Sequence, residues 1–150
     1  MRQRRFAAVV IGAAALLYAL PASAQDETFK ARLSPVPVGS TREGITGSGS
    51  ATATLTGRTL VVRGSFEGMG SPATIAQIHL GPRGVRGPVM FDLACSKGTS
   101  GTVTGTFMLT PVQIEAVKLG RFYVQVHSEK APDGNLWGWL LQVADKANSK

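Results

Sequence analysis

The chain has 150 residues, 43% of them hydrophobic, with 16 Lys and Arg against 9 Asp and Glu and a net charge of +7. That is enough for one domain with a packed core. The basic residues are scattered, with no block of like charge and no nucleic-acid motif, so a nucleic-acid partner is not expected.

The N-terminus reads as an export signal. Arg2, Arg4 and Arg5 form a basic region, Phe6 to Leu20 an apolar run, and Ala22 and Ala24 a small-residue cleavage pattern that makes Gln25 the mature start. The apolar run is 15 residues long, short of the roughly 20 that a spanning helix needs. No cysteine follows it to carry a lipid, and no second run of membrane length occurs. The expected product is exported, periplasmic or secreted, with no transmembrane segment once residues 1–24 are removed. Three of the seven net positive charges leave with the signal, so the working protein is less basic than the precursor. Residues 25–143 are expected to form one domain and 144–150 a polar tail.

The mature chain is rich in Gly, Thr, Ser and Val, and short alternating runs recur between turn signals, the pattern of an all-β sandwich or barrel. "TFKARL" (28–33) opens it, with Phe29, Ala31 and Leu33 on one face. "SPVPVGSTREGITG" follows as a loop, its prolines unsuited to a central strand. "SGSATATLTG" and "RTLVVRGSFEG" flank Gly57-Arg58 as a hairpin. "TIAQIHLG", "PVMFDLAC" and "GTVTGTFML" are further strands. One helix is signalled near 110–119: Thr110 is the N-cap, Pro111 the first helical residue, and Gln113 completes a capping box. Ile114, Val117 and Leu119 are expected to face the core, and Gly120 to cap the C-terminus. "RFYVQVHS" then turns through "APDG" into "NLWGWLLQV".

Residues two apart on a strand share a face. Ile75, Gln77 and His79 therefore oppose Ala76, Ile78 and Leu80, and Tyr123, Gln125 and His127 oppose Phe122, Val124 and Val126. If the last two strands pair through the Pro-Asp-Gly turn, Trp137 and Trp139 stand on the outer side with Gln125 and His127. Two tryptophans there call for a partner or a cover. Cys95 is the only cysteine, so no internal disulfide can form, and it reads as a half-buried small hydrophobe.

The segments "FKARLSPVPV", "GSGSATATL", "SPATIAQIHLGPRGVRGPVMFDL" and "GTFMLTPVQIEAVKLGRFYVQVHSEKAPDGNLWGWL" together resemble the CHRD domain, the repeat of chordin that also occurs as a lone exported domain in bacteria. The likeness runs from about Phe29 to Val143. It implies an immunoglobulin-like, Greek-key β-sandwich or barrel of about seven or eight strands, distantly similar in layout to copper/zinc superoxide dismutase. It implies no agreed catalytic activity. The chain departs from the family at Gln77, where a histidine is common, and at Asn135, Trp137 and Trp139, which replace a Glu, an Arg and a Gln.

Several chemistries can be weighed on these residues. Two histidines cannot supply the imidazole set of a superoxide dismutase. No Ser-His-Asp or Cys-His order, no G-x-S-x-G and no carboxylate pair stands out, so no enzyme and no cofactor are expected. The alternative is a copper or zinc site using His79 and His127, with Asp92, Asp133 or Glu129 as an oxygen donor. Arg83 and Arg86 in "GPRGVRGP" are candidates for anion contact, against a plain solvated connection. The leading expectation is a non-catalytic binding or scaffold module. Its candidate face is Gln77, His79, Tyr123, Gln125, His127, Trp137 and Trp139, and its partner a protein, peptide or glycan. Against that stands a loop folding over the tryptophans to make a second small core.

Overall fold

The computed structural model describes residues 25–37 and 44–144, so the expected signal segment and residues 145–150 of the tail lie outside the described residues. In chain order the elements are β1 (Glu27–Pro35), β2 (Ser48–Thr56), β3 (Thr59–Glu67), β4 (Ala73–Leu80), β5 (Val89–Cys95), β6 (Gly101–Met108), α1 (Pro111–Lys118), β7 (Phe122–Ser128), β8 (Leu136–Trp139) and β9 (Leu141–Gln142). All the strand pairs are antiparallel.

The ladder runs β2-β3-β6-β5-β4-β7-β8-β1, and β1 then returns to β2, closing an eight-stranded barrel to which β9 is added. The all-β class and the single short helix are as expected, but the strands close on one another where an immunoglobulin-like sandwich would leave two separate sheets. Two corner strands make the closure. β1 pairs β2 along Glu27–Leu33 and then β8 at Ser34 and Pro35. β5 pairs β4 as far as Leu93 and then β6 at Ala94 and Cys95. Closure leaves no exposed edge in the main ladder.

The strand β1 runs further than its prolines suggested. Pro35 is the last strand residue, opposite Leu136, and pairing passes on through Val36 N, which donates to Asn135 O at 2.9 Å. A proline is tolerated there because the ladder asks no N–H of it. The barrel interior is the alternating apolar face of each strand, including Phe29, Leu33, Leu55, Leu60, Val62, Ile78, Val103, Val124 and Leu136.

The helix forms where its caps place it. Thr110 Oγ1 accepts from Gln113 N at 3.3 Å, and Gln113 Oε1 accepts from Thr110 N at 2.8 Å. Gly120, at φ 65°, lets its N–H reach Val117 O and Arg121 N reach Ala116 O, a Schellman closure. Val117 is buried and Ile114 packs against the core, but Leu119 is 67% exposed. It is the C-cap, and its backbone has left the helical stripe. Thr110→Ala is expected to cost about 1 kcal/mol, read as a lower urea midpoint; an unchanged midpoint would show that the cap contributes nothing.

The closing segment also differs from a single long strand. The ladder breaks at Leu140, whose N–H donates to Phe122 O, and β9 leaves β8 to pair with β1 at Phe29 and Lys30.

Candidate functional site

Strand register gathers the outer-face residues. Gln77 lies opposite Gln125 and His79 opposite Tyr123. Across β7, Tyr123 lies opposite Trp139 and Gln125 opposite Trp137. All seven residues of β7 are buried, because both of its faces are covered. The cover on the outer side is the loop after β4. Trp139 Nε1 donates to Gly81 O at 2.9 Å, and Gly87 N donates to the Tyr123 hydroxyl at 3.0 Å.

The rings beneath form a second apolar cluster of Val36, Tyr123 and Trp137, with Trp139 packed against it. Tyr123 is fully buried and Trp137 is 8% exposed. Trp139 lies 4.7 Å from both Tyr123 and Trp137, centre to centre, and Trp137 meets both rings edge-on. Between an open stacking platform and a second core, these contacts make a core.

The histidines are arranged differently. His79 Nδ1 lies 2.9 Å from Gly87 O, and His127 Nδ1 lies 2.8 Å from Pro132 O. A carbonyl can only accept, so each Nδ1 carries the proton, and in the neutral ring each Nε2 is a bare lone pair. Both Nε2 atoms are buried without a hydrogen-bond partner, on residues each 7% exposed. The ring centres are 6.1 Å apart with planes at 31°, and His79 also stacks on Tyr123 at 5.0 Å. Register alone does not bring them together, since His79 faces Tyr123, four residues before His127. Two loop carbonyls, one on each ring, hold the imidazoles, and both residues line one space.

That space is a cleft of about 420 Å³ whose lining includes Gln77, His79, Arg86, Tyr123, Gln125 and His127. The amide nitrogens at its rim are engaged, Gln77 Nε2 with Asp92 Oδ1 and Gln125 Nε2 with Asp133 O, each at 2.8 Å. Arg86 donates to the same Asp133 carbonyl.

Burial pushes the His127 imidazole below its usual pKa; His79 and Arg86 nearby push it the same way, while the Pro132 carbonyl and Asp133 oppose. A histidine that resists protonation when folded contributes stability that is complete above its unfolded pKa of about 6.5 and is lost as pH falls through that value toward the folded one. The melting midpoint should therefore fall between pH 8 and pH 5, and fall less in His127→Phe. An equal decline in both proteins would place the acid sensitivity elsewhere.

The remaining candidates disperse. Arg83 is exposed and lines a separate groove of about 240 Å³ with Lys30, Arg32, Trp137 and Trp139, so the two loop arginines serve different depressions. Asp92 and Glu129 are exposed. Of the expected oxygen donors only Asp133 lines the cleft with the histidines, and no group of three or more His, Cys, Asp or Glu that could hold a metal occurs among the described residues. Cys95 is a half-buried thiol packed against the core; burial raises its pKa, partly offset by Lys97, and makes it a poor nucleophile.

Sequence reasoning missed Asn135, placed by alternation with the tryptophans. It is fully buried, donating from Nδ2 to Thr46 O at 2.8 Å and accepting from Ser128 Oγ at 3.1 Å. It also missed the Gly87 and Pro132 carbonyls. The only hint of them was the Gly and Pro content of both loops.

The family model of the CHRD domain matches residues 29–140, from the first interior phenylalanine of β1 to the residue after β8. The chain belongs to the CHRD domain family. The matched span of this CHRD domain holds both histidines, both tryptophans and the loop between β4 and β5. No curated protein and no solved structure gives a significant match. Among the described residues of this CHRD domain, no helix is long and apolar enough to cross a membrane.

Proposed function

We propose that this CHRD domain is an exported, non-catalytic binding module whose ligand site is the cleft between His79 and His127. One observation carries the reading: the two histidines that line the same cleft each hold a buried imidazole nitrogen without a hydrogen-bond partner. Buried polar groups without partners are rare in native proteins, and each costs about 1–3 kcal/mol until something meets it. Such a cost is retained where a ligand recovers it. A ligand that meets these nitrogens must present donors or a Lewis acid, because both Nε2 atoms can only accept. The basic, apolar and small-residue pattern of residues 1–24 supports export.

The test is nitrogen-15 NMR of the imidazoles during titration with two donor-rich probes, chitotriose and a lysine-rich peptide. At least one should shift the Nε2 resonances of both histidines, and the shift should vanish in a folded His79→Phe/His127→Phe double variant. Probes that perturb only other surfaces, with both imidazoles silent, would remove the cleft as the ligand site for that class.

A further inference from the structure

Two histidines that line one cleft, each held by a backbone carbonyl on Nδ1 and each with an unpartnered Nε2, share the outer hydrogen bonding of metal-bound histidines. We propose that His79 and His127 bind a single monovalent copper ion through their Nε2 atoms, a reading that rests on the cleft proposed above and names what it holds.

Geometry supports this first. A metal about 2.0–2.1 Å from each nitrogen sets the two ring centres about 5–6.5 Å apart, the upper end belonging to wide nitrogen–metal–nitrogen angles. The observed 6.1 Å lies toward that end. A wide, two-donor arrangement is what a cuprous ion accepts and what few other biological ions do.

The donor set supports it next. Zinc sites hold four donors, or three and a water. Calcium and magnesium take oxygen ligands. Neither pattern is met here, since no group of three or more His, Cys, Asp or Glu that could hold a metal occurs among the described residues. Imidazole suits copper, and two neutral donors suit a single positive charge.

Charge and burial point the same way. Arg86 lines the cleft, and a guanidinium repels a divalent ion more strongly than a monovalent one. With both residues 7% exposed, the nitrogens need shed little water to bind.

The test is an anaerobic titration of the purified chain against the chromophoric cuprous chelator bicinchoninate. One Cu(I) per chain should be withdrawn from the chelator. His79→Phe and His127→Phe should each weaken binding by about 100-fold or more, beyond the 10–100-fold that losing an outer hydrogen bond costs. Cys95→Ser should leave it unchanged, because the thiol does not line the cleft. X-ray absorption of the copper-loaded wild-type chain should show two nitrogen donors and no sulfur, and needs no variant to fold. The proposal is overturned if no copper is withdrawn, if both phenylalanine variants keep full affinity, if Cys95→Ser loses it, or if sulfur appears around the metal. Should copper fail while the imidazoles still respond to chitotriose or the peptide, the cleft stands and only the copper assignment falls. Silence in both experiments removes both.

Discussion

Gly87→Ala is expected to lower stability by about 2–4 kcal/mol and to disorganise the candidate site at the same time. A β-carbon at Gly87 would lie 1.7 Å from Leu80 O and 2.7 Å from Leu80 C, both backbone atoms that cannot rotate away. The loop must therefore lift. With it would go the Gly87 N–H bond to the Tyr123 hydroxyl, the Gly87 carbonyl that orients His79, and the Leu80 N to Pro88 O bond. Tyr123 and His79 are buried, so their polar atoms would be left without partners or opened to water. Three readouts should move together: a lower urea midpoint, a Trp139 more open to fluorescence quencher, and cuprous binding weaker by about 10–100-fold. A variant with an unchanged midpoint would mean that the backbone absorbs the methyl, and that the loop is not the rigid cover described above.

Phe29→Ala should be the most damaging of the simple core truncations, at about 3–5 kcal/mol. Phe29 is fully buried in β1, between Ala53 of β2 and Gln142 of β9. That strand makes the last pairing that closes the barrel. Domains of this size are stable by about 5–15 kcal/mol, so the truncation removes a large share of the total. Phe29→Leu, which keeps most of the volume, should cost much less, about 1.5 kcal/mol or under. Denaturant titration of both variants separates the cavity from any chemistry at the site, because Phe29 is interior and the histidines lie on the outer face. A loss for alanine no larger than that for leucine would mean that the barrel collapses around the gap.

The two substitutions act on different layers, and the layers were not equally legible in the sequence. The interior follows from local rules. Alternation placed Phe29, Leu33, Ile78, Val124 and Val126 on one side of their strands, and each is buried. The capping box at Thr110 and Gln113 fixed where α1 begins, because those contacts lie within one turn of chain. Leu119 was misjudged because a helical stripe was extended past the cap, where the backbone no longer follows it.

The outer face was legible only as a set of residues. Alternation could say that Gln125, His127, Trp137 and Trp139 share a side, because that needs only strand period and one hairpin. It could not say that Tyr123 is covered while a cleft remains beside His127, because the cover comes from residues 81–87, far away in sequence. Asn135 shows the same limit, its burial depending on Thr46 across the fold.

By itself, then, the sequence determined the all-β class, the helix and its caps, the interior face of each strand, and the CHRD likeness. Each of these depends on contacts within a strand, a turn or a hairpin. Only the tertiary structure decided that the strands close into a barrel, that the tryptophans form a second core, and that two histidines with unpartnered nitrogens line one cleft. These depend on carbonyls and side chains brought together from distant parts of the chain, and no local pattern encodes which carbonyl an imidazole will meet.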